Sequence, residues 1–188
     1  TIHNGIDISK FSPQKKTTQD KRFRILGVAA VWHKRKGLDD FIILRSKLSE
    51  IYNITLVGLN QKQVDKLPAG INGITRTSNI EEMVQLYSDA DVFVNPTYSD
   101  NFPTTNIEAL ACGTPVITYS TGGSPEAIDS KTGIVIKQGD VLSLANAITY
   151  MKKNPLSSED CRKRALEHFN KDKCFGTYIE LYENLLNK

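Results

Sequence analysis

Two carboxylates, Asp100 and Glu108, stand eight positions apart in the segment Tyr98-Ser99-Asp100-Asn101-Phe102-Pro103-Thr104-Thr105-Asn106-Ile107-Glu108. A polar, turn-prone loop passes through Pro103 into a short helix, and Gly113-Thr114-Pro115 stops that helix before a buried strand. The helix would open on small hydroxylated residues. Such an end presents free backbone N–H groups and a partial positive charge, which together favour phosphate. Glu108, one turn inside, would reach sugar hydroxyls beside that phosphate. The chemistry expected of this pattern is the binding of a nucleotide diphosphate that carries a sugar.

Other residues compete for attention. His33-Lys34-Arg35-Lys36 is a basic run just after the first apolar segment; it fits a phosphate clamp, and as bare composition it also fits a solvated face. Taken alone, Glu108 equally fits a first-turn carboxylate that complements the helix dipole, and Asp100-Asn101 an ordinary turn. Asp89-Ala90-Asp91 imitates a metal-holding Asp-x-Asp, but it precedes Val92 at a helix-to-strand junction and reads as a cap and turn. His3 and His168 have no partner at useful spacing, and no Ser/His/Asp, Cys/His or metal-ligand constellation is present. Gly27 is followed by Val28-Ala29, so a dinucleotide fingerprint is missing and a nicotinamide enzyme is disfavoured.

These residues need a scaffold that gathers them. Phe23 to Ala30, Ile54 to Val57, Ile71 to Thr75, Val92 to Val94, Pro115 to Tyr119 and Gly133 to Ile136 read as strands. Between them, helices are expected over 36–50, from Gly58 to about Leu67, and over 80–88 and 104–112. Three more follow over 140–153, 157–169 and 172–187. The helix over 36–50 shows an apolar face of Leu38, Phe41, Ile42, Leu44, Arg45 and Leu48. Alternating strands and helices imply a parallel sheet covered on both faces, with loops 31–37, 58–61, 97–106 and 120–126 converging at the strands' carboxyl ends. Residues 1–22, polar and with little periodicity, read as a linker, leaving 23–188 as one domain.

Composition narrows the function. With 188 residues the chain can bury a full core, and a net charge of +3 is too small by itself to signal nucleic acid or a membrane surface. The longest apolar run, Ile25 to Trp32, is too short to span a bilayer, and no signal peptide is visible. Cys112, Cys161 and Cys174 lack paired or metal-ligand spacing and read as reduced thiols of a cytosolic protein.

The ordered set of motifs resembles the carboxyl-terminal half of family 4 retaining glycosyltransferases. Asn4-Gly5-Ile6-Asp7 with Phe11 and Pro13 is similar to their interdomain segment, and Lys36-Gly37 to their lysine-glycine pair. Tyr87-Ser88-Asp89-Ala90-Asp91-Val92-Phe93-Val94 resembles the approach to their acidic loop. Asp100, Phe102-Pro103, Glu108-Ala109 and Cys112-Gly113-Thr114-Pro115-Val116 match their longest motif. Gly122-Gly123-Ser124-Pro125-Glu126 and Thr132-Gly133 complete the set.

The resemblance implies a Rossmann-like α/β domain, one half of a two-domain GT-B enzyme, working without a metal or cofactor on a UDP- or GDP-sugar. It implies Lys36, Asp100 and Glu108 at the catalytic centre, Lys36 on the phosphates, Asp100 on the sugar and Glu108 on the ribose. Donor contacts would come from Arg35, Asn101, Phe102, Pro103, Thr104, Thr105 and Asn106 as well. There are departures. Asp100 stands where the family usually has glutamate. Asn101 replaces a glycine, a change that left-handed backbone angles at Asn would tolerate. Val31 occupies the place of a phosphate-binding arginine, a charge that Arg35 or His33 could replace.

The acceptor half would be an amino-terminal domain, and the acceptor a cell-surface polysaccharide or glycolipid precursor. The whole enzyme is expected in the cytoplasm, with the inner face of the membrane open to it as a peripheral site. By itself the chain is expected to be inactive. A GT-B-like epimerase or phosphorolytic enzyme is the alternative, and a basic nucleic-acid-binding domain is weakened by the lack of interleaved aromatics.

Overall fold

In the strands, the side chains alternate between two cores. The computed structural model of the chain describes residues 1–187, so the last position of the expected domain, Lys188, lies outside the described residues. Six strands, β1 (Phe23–Val28), β2 (Tyr52–Val57), β3 (Ile71–Ile74), β4 (Val92–Asn95), β5 (Val116–Tyr119) and β6 (Gly133–Ile136), pair in the order β3-β2-β1-β4-β5-β6. Every pairing is parallel. Ile25, Val92, Val94 and Ile117 point to one face; Leu26, Phe93 and Val116 point to the other. The expected Rossmann-like sheet is therefore present.

Helices α1 (Leu38–Lys47) and α5 (Val141–Lys153) cover the first face. The second is covered by α3 (Ile80–Asp89), α4 (Thr104–Ala111) and α6 (Ser158–His168). A single turn, α2 (Gln61–Val64), follows β2, and α7 (Lys171–Leu186) closes the described chain. Most expected elements recur within a few residues. The expected helix over 36–50 is split: Lys34–Lys36 form a 3-10 turn, and Gly37 at φ +76° re-aims the chain into α1. A side chain at Gly37 would run into the Pro96 carbonyl, so sterics as well as the left-handed angle demand glycine there.

Residues 1–22 hold no helix or longer strand, but they lie along the second face. Ile6 is buried and bridges Asn170, with Ile6 N–H donating to the Phe169 carbonyl at 2.9 Å and Lys171 N–H to the Ile6 carbonyl at 3.0 Å. Ile8 and Phe11 pack on the same core. Further on, Lys16 and Thr17 reach the Asp89-Ala90-Asp91 corner at the amino ends of the strands. Asp89 accepts from the Thr17 N–H (2.8 Å) and hydroxyl (2.9 Å). Asp91 accepts from Lys16 Nζ at 2.7 Å and from Arg24 N, Nε and Nη2 at 2.9, 3.0 and 2.8 Å. That corner is the cap and turn the sequence suggested. Among the described residues, no cluster of His, Cys, Asp and Glu has a metal-binding arrangement, and no helix is long and apolar enough to cross a membrane. All three cysteines are free and buried.

Candidate donor site at the carboxyl ends of the strands

The loops after β1, β4 and β5 are stitched together by their backbones. Tyr98 N–H donates to the Arg35 carbonyl at 2.8 Å, and the Thr97 hydroxyl reaches the same carbonyl at 3.3 Å. Gly123 N–H donates to the Asn101 carbonyl at 2.9 Å, while Gly122, at φ +49°, lets the 120–126 loop abut the Asp100 carbonyl. Beneath the basic turn, Trp32 is buried; its indole N–H donates to the Val57 carbonyl at 2.8 Å. The bases and the acidic loop thus share one rim.

Across that rim Lys36 Nζ meets Asp100 Oδ2 at 2.6 Å, both side chains partly exposed. The two groups assigned to phosphate and sugar therefore neutralise each other. His33, Arg35 and Val31 are exposed, and among the described residues neither His33 nor Arg35 makes an ion pair.

The start of α4 leaves part of its backbone unpaired. Pro103 is its cap residue and supplies no side-chain hydrogen bond, so the first N–H groups are left free by the helix geometry. Thr104 is exposed and Thr105 half-buried, whereas Asn106 is fully buried. Asn106 N–H already donates to the Pro103 carbonyl at 3.2 Å. Its side chain accepts from Asn95 Nδ2 at 2.8 Å and donates to the Ser124 carbonyl at 3.3 Å. Asn106 ties β4, α4 and the 124–127 turn together.

Phe102 turns away from the rim, its ring 4.7 Å from His3 and 5.7 Å from Phe169. The backbone tolerance invoked for Asn101 is not used: no non-glycine residue described here has positive φ. The loop gets its shape instead from the glycine pair Gly122-Gly123 facing it.

Glu108 sits one turn inside α4, half-buried. Its Oε2 accepts from the Tyr87 hydroxyl at 2.9 Å, and the Thr104 hydroxyl supplies a second bond. Burial pushes its pKa above the ordinary value, and the two hydroxyl bonds pull back only part of the way. No cation pairs with it among the described residues.

Sequence reasoning missed three supports. Asp40, on α1, is buried although it sits in a stretch read as amphipathic; it accepts from the hydroxyls of Tyr98 (3.0 Å) and Tyr119 (2.6 Å). Burial, followed by the bond to Asp40, raises the pKa of both phenols, so both stay donors. His3, read as partnerless, has Nε2 2.6 Å from Glu126 Oε2 and stacks on Phe102. Tyr87 is the third. None of these pairings has a local signal, because the partners lie 21 to 123 positions apart.

The fold is a Rossmann-like α/β domain whose helix α4 starts, without a side-chain cap, at the carboxyl edge of the sheet. Residues 22–154 match the family described as glycosyl transferases group 1, and the chain belongs to that family. It is 26% identical over 186 residues to D-inositol 3-phosphate glycosyltransferase of Mycobacterium sp. (strain KMS), covering 89% of this chain and 42% of the relative. Among solved structures, it is similar to sucrose-phosphate synthase from Thermosynechococcus elongatus (TM-score 0.85, 24% identity, 99% of this chain and 52% of the other). It is also similar to Anabaena HepE in complex with UDP-glucose (TM-score 0.80, 18% identity, 97% and 57%). The chain thus spans about half the length of the proteins it matches, as one half of a GT-B architecture does.

Proposed function

We propose that the chain is the donor-binding half of a retaining glycosyltransferase that takes a UDP- or GDP-sugar. The observation that carries this reading is the meeting of Lys36, Asp100, the open start of α4 and Glu108 at one edge of the sheet. On donor binding, Lys36 exchanges Asp100 for phosphate oxygens, with Thr104 and Thr105 N–H groups and the free Arg35 beside it. Asp100, released, accepts from sugar hydroxyls. Glu108 accepts from the ribose cis-diol, which suits a carboxylate with two acceptor oxygens.

In the transfer, the bond from the anomeric carbon to the phosphate oxygen breaks and a bond to the acceptor oxygen forms on the same face. The departing phosphate oxygen takes the acceptor's proton. The protein's part is preorganised charge on the phosphates, and no divalent ion is needed. HepE, solved with UDP-glucose, and the donor-half dimensions of the match support the substrate class.

The acceptor site belongs to an amino-terminal half. The relatives' greater length supports this, as does an exposed apolar stripe on α7 formed by Phe175, Ile179, Tyr182 and Leu186, unusual for a free surface. The acceptor is a cell-surface polysaccharide or glycolipid precursor, met in the cytoplasm at the inner face of the membrane.

Calorimetric titration with UDP, GDP and the bare nucleosides tests the reading. A few charge-assisted bonds, less the cost of association, give a Kd of roughly 10 μM to 1 mM for the matching diphosphate. Binding should survive EDTA and exceed that of the nucleoside by a margin that shrinks with salt. Equal affinity for nucleoside and diphosphate would remove the phosphate site.

A further inference from the structure

Glu108 has one hydrogen-bond partner outside its own helix. Tyr87, in the last turns of α3, donates its hydroxyl to Glu108 Oε2 at 2.9 Å and is fully buried. Its position is fixed on several sides. The ring packs edge-on against Phe93 of β4 at 5.6 Å and Phe11 of the amino-terminal segment at 6.4 Å. Its backbone carbonyl accepts from the Thr114 hydroxyl at 2.6 Å, just beyond the end of α4. One tyrosine therefore touches α4 in its middle and just past its exit, from a helix that also holds residues 14–17 through Gln85, Ser88 and Asp89.

A carboxylate on a half-buried helix face has several rotamers, and one fixed donor selects among them. With Oε2 held by Tyr87 and one more lone pair met by the Thr104 hydroxyl, the others are left for a ligand. We propose that Tyr87 is a positioning residue for the donor nucleotide: its hydroxyl holds the Glu108 carboxylate in the orientation that accepts the ribose diol. This rests on the donor-site reading of Glu108 given above.

The electrostatics support the geometry. Burial raises the Glu108 pKa, and the Tyr87 and Thr104 hydroxyls are what lower it again. Tyr87 stays protonated, because burial and then the Glu108 charge push its pKa well up. Of the other ionisable groups around the carboxylate, Cys112 caps the end of α4 one turn on, and burial pushes its thiol up to about 12. Arg162 of α6 lies near Cys112 and has its guanidinium on the carbonyls of Ile8, Phe11 and Ala111. Neither changes charge between pH 5 and 8, so the Tyr87 hydroxyl, with a smaller share from Thr104, is what offsets burial at Glu108 there.

Calorimetry of the chain with UDP, GDP and their 2′,3′-dideoxy analogues, from pH 5.5 to 8, tests this. Tyr87→Phe should weaken the ribonucleoside diphosphate about three- to tenfold at pH 7, as expected for one lost bond to a charged acceptor. It should leave the dideoxy analogue within twofold and move the pH midpoint of ribonucleotide binding upward. In a Glu108→Gln background the same change should have no further effect on ribonucleotide affinity. Phe93→Leu loosens the same ring but keeps the hydroxyl. It should lower the melting temperature without altering the ratio of ribonucleotide to dideoxy affinity. Equal weakening of both diphosphates by Tyr87→Phe, or an unmoved pH midpoint, overturns the proposal. A wild-type chain that binds ribonucleotide and dideoxy analogue equally overturns the diol reading of Glu108 instead. Absence of any binding overturns the donor site itself.

Discussion

At the amino ends of β1 and β4, Asp91 receives four hydrogen bonds from Arg24 and Lys16, and Asp89 receives two from Thr17. At the carboxyl ends of the same strands, Asp100 has one ion-pair contact with Lys36, and Glu108 is met only by hydroxyls. Similar residue types therefore play opposite parts. The amino-end carboxylates are saturated by groups that belong to the fold and leave little for a ligand to gain. The carboxyl-end groups keep unused acceptors and donors, and their mutual contact is one a phosphate can replace. The Asp-x-Asp pattern is thus taken up by the fold, and the difference between the two ends lies in what already surrounds the charges.

The comparison breaks first at the amino end. Asp91→Ala leaves Arg24 and Lys16 facing each other without a counter-charge, so stability in urea should fall by about 2–3 kcal/mol. Diphosphate affinity should stay within twofold. A large affinity loss, or binding that EDTA abolishes, would return Asp91 to the list of ligand groups. The Asp91 pKa is lowered: burial alone would raise it, but the bonds from Arg24 and Lys16 together outweigh burial. Its contribution is therefore present above the usual carboxylate range and lost as pH falls through the folded value; the stability gap between wild type and variant should close in acid.

The carboxyl end sharpens the contrast with a smaller effect. Lys36→Met should weaken the free diphosphate by about 1–2 kcal/mol, more at low salt, with a stability change within about 0.5 kcal/mol. Asp100→Asn should spare the free diphosphate and weaken only the sugar-bearing donor. If both variants lost equal affinity for both ligands, the pair would be a structural bridge like Asp91 with Arg24.

The smallest effect concerns Glu108. Its raised pKa means that the fold favours the neutral acid, so stability is highest below the ordinary value near 4.5 and declines as pH rises through the folded value. Glu108→Gln removes that decline. At pH 7 its melting temperature should exceed wild type by about 1–3 °C, with the two converging near pH 4. Scanning calorimetry across that range checks it; a variant that melts lower at pH 7 would make Glu108 a purely stabilising residue.

The sheet and its helices were legible because each strand writes its alternation locally: Val92-Phe93-Val94 sends neighbours to opposite cores. The loop positions were legible for the same reason, since strand ends fix where loops meet. Pair identities were not. Lys36 and Asp100 each read as ligand groups, and only the folded chain brings them 2.6 Å apart across 64 positions. Asp40 sits in a helical pattern whose apolar face hides it, because two tyrosine hydroxyls make its burial tolerable. The first 22 residues looked like linker because Ile6, Ile8 and Phe11 bury against the fold with no helical or strand period.

Trp32 is the only tryptophan in the chain. Its indole is buried, held by the Val57 carbonyl, and set edge-on to Phe41 at 5.6 Å. The residue after it opens the turn that carries Lys36, and its own carbonyl is pinned by Gln63 Nε2 at 2.8 Å. The protein consequently contains its own optical reporter. Any change in tryptophan emission on adding a ligand must come from the ground beneath that basic turn, with no dye attached and no second indole to blur the signal.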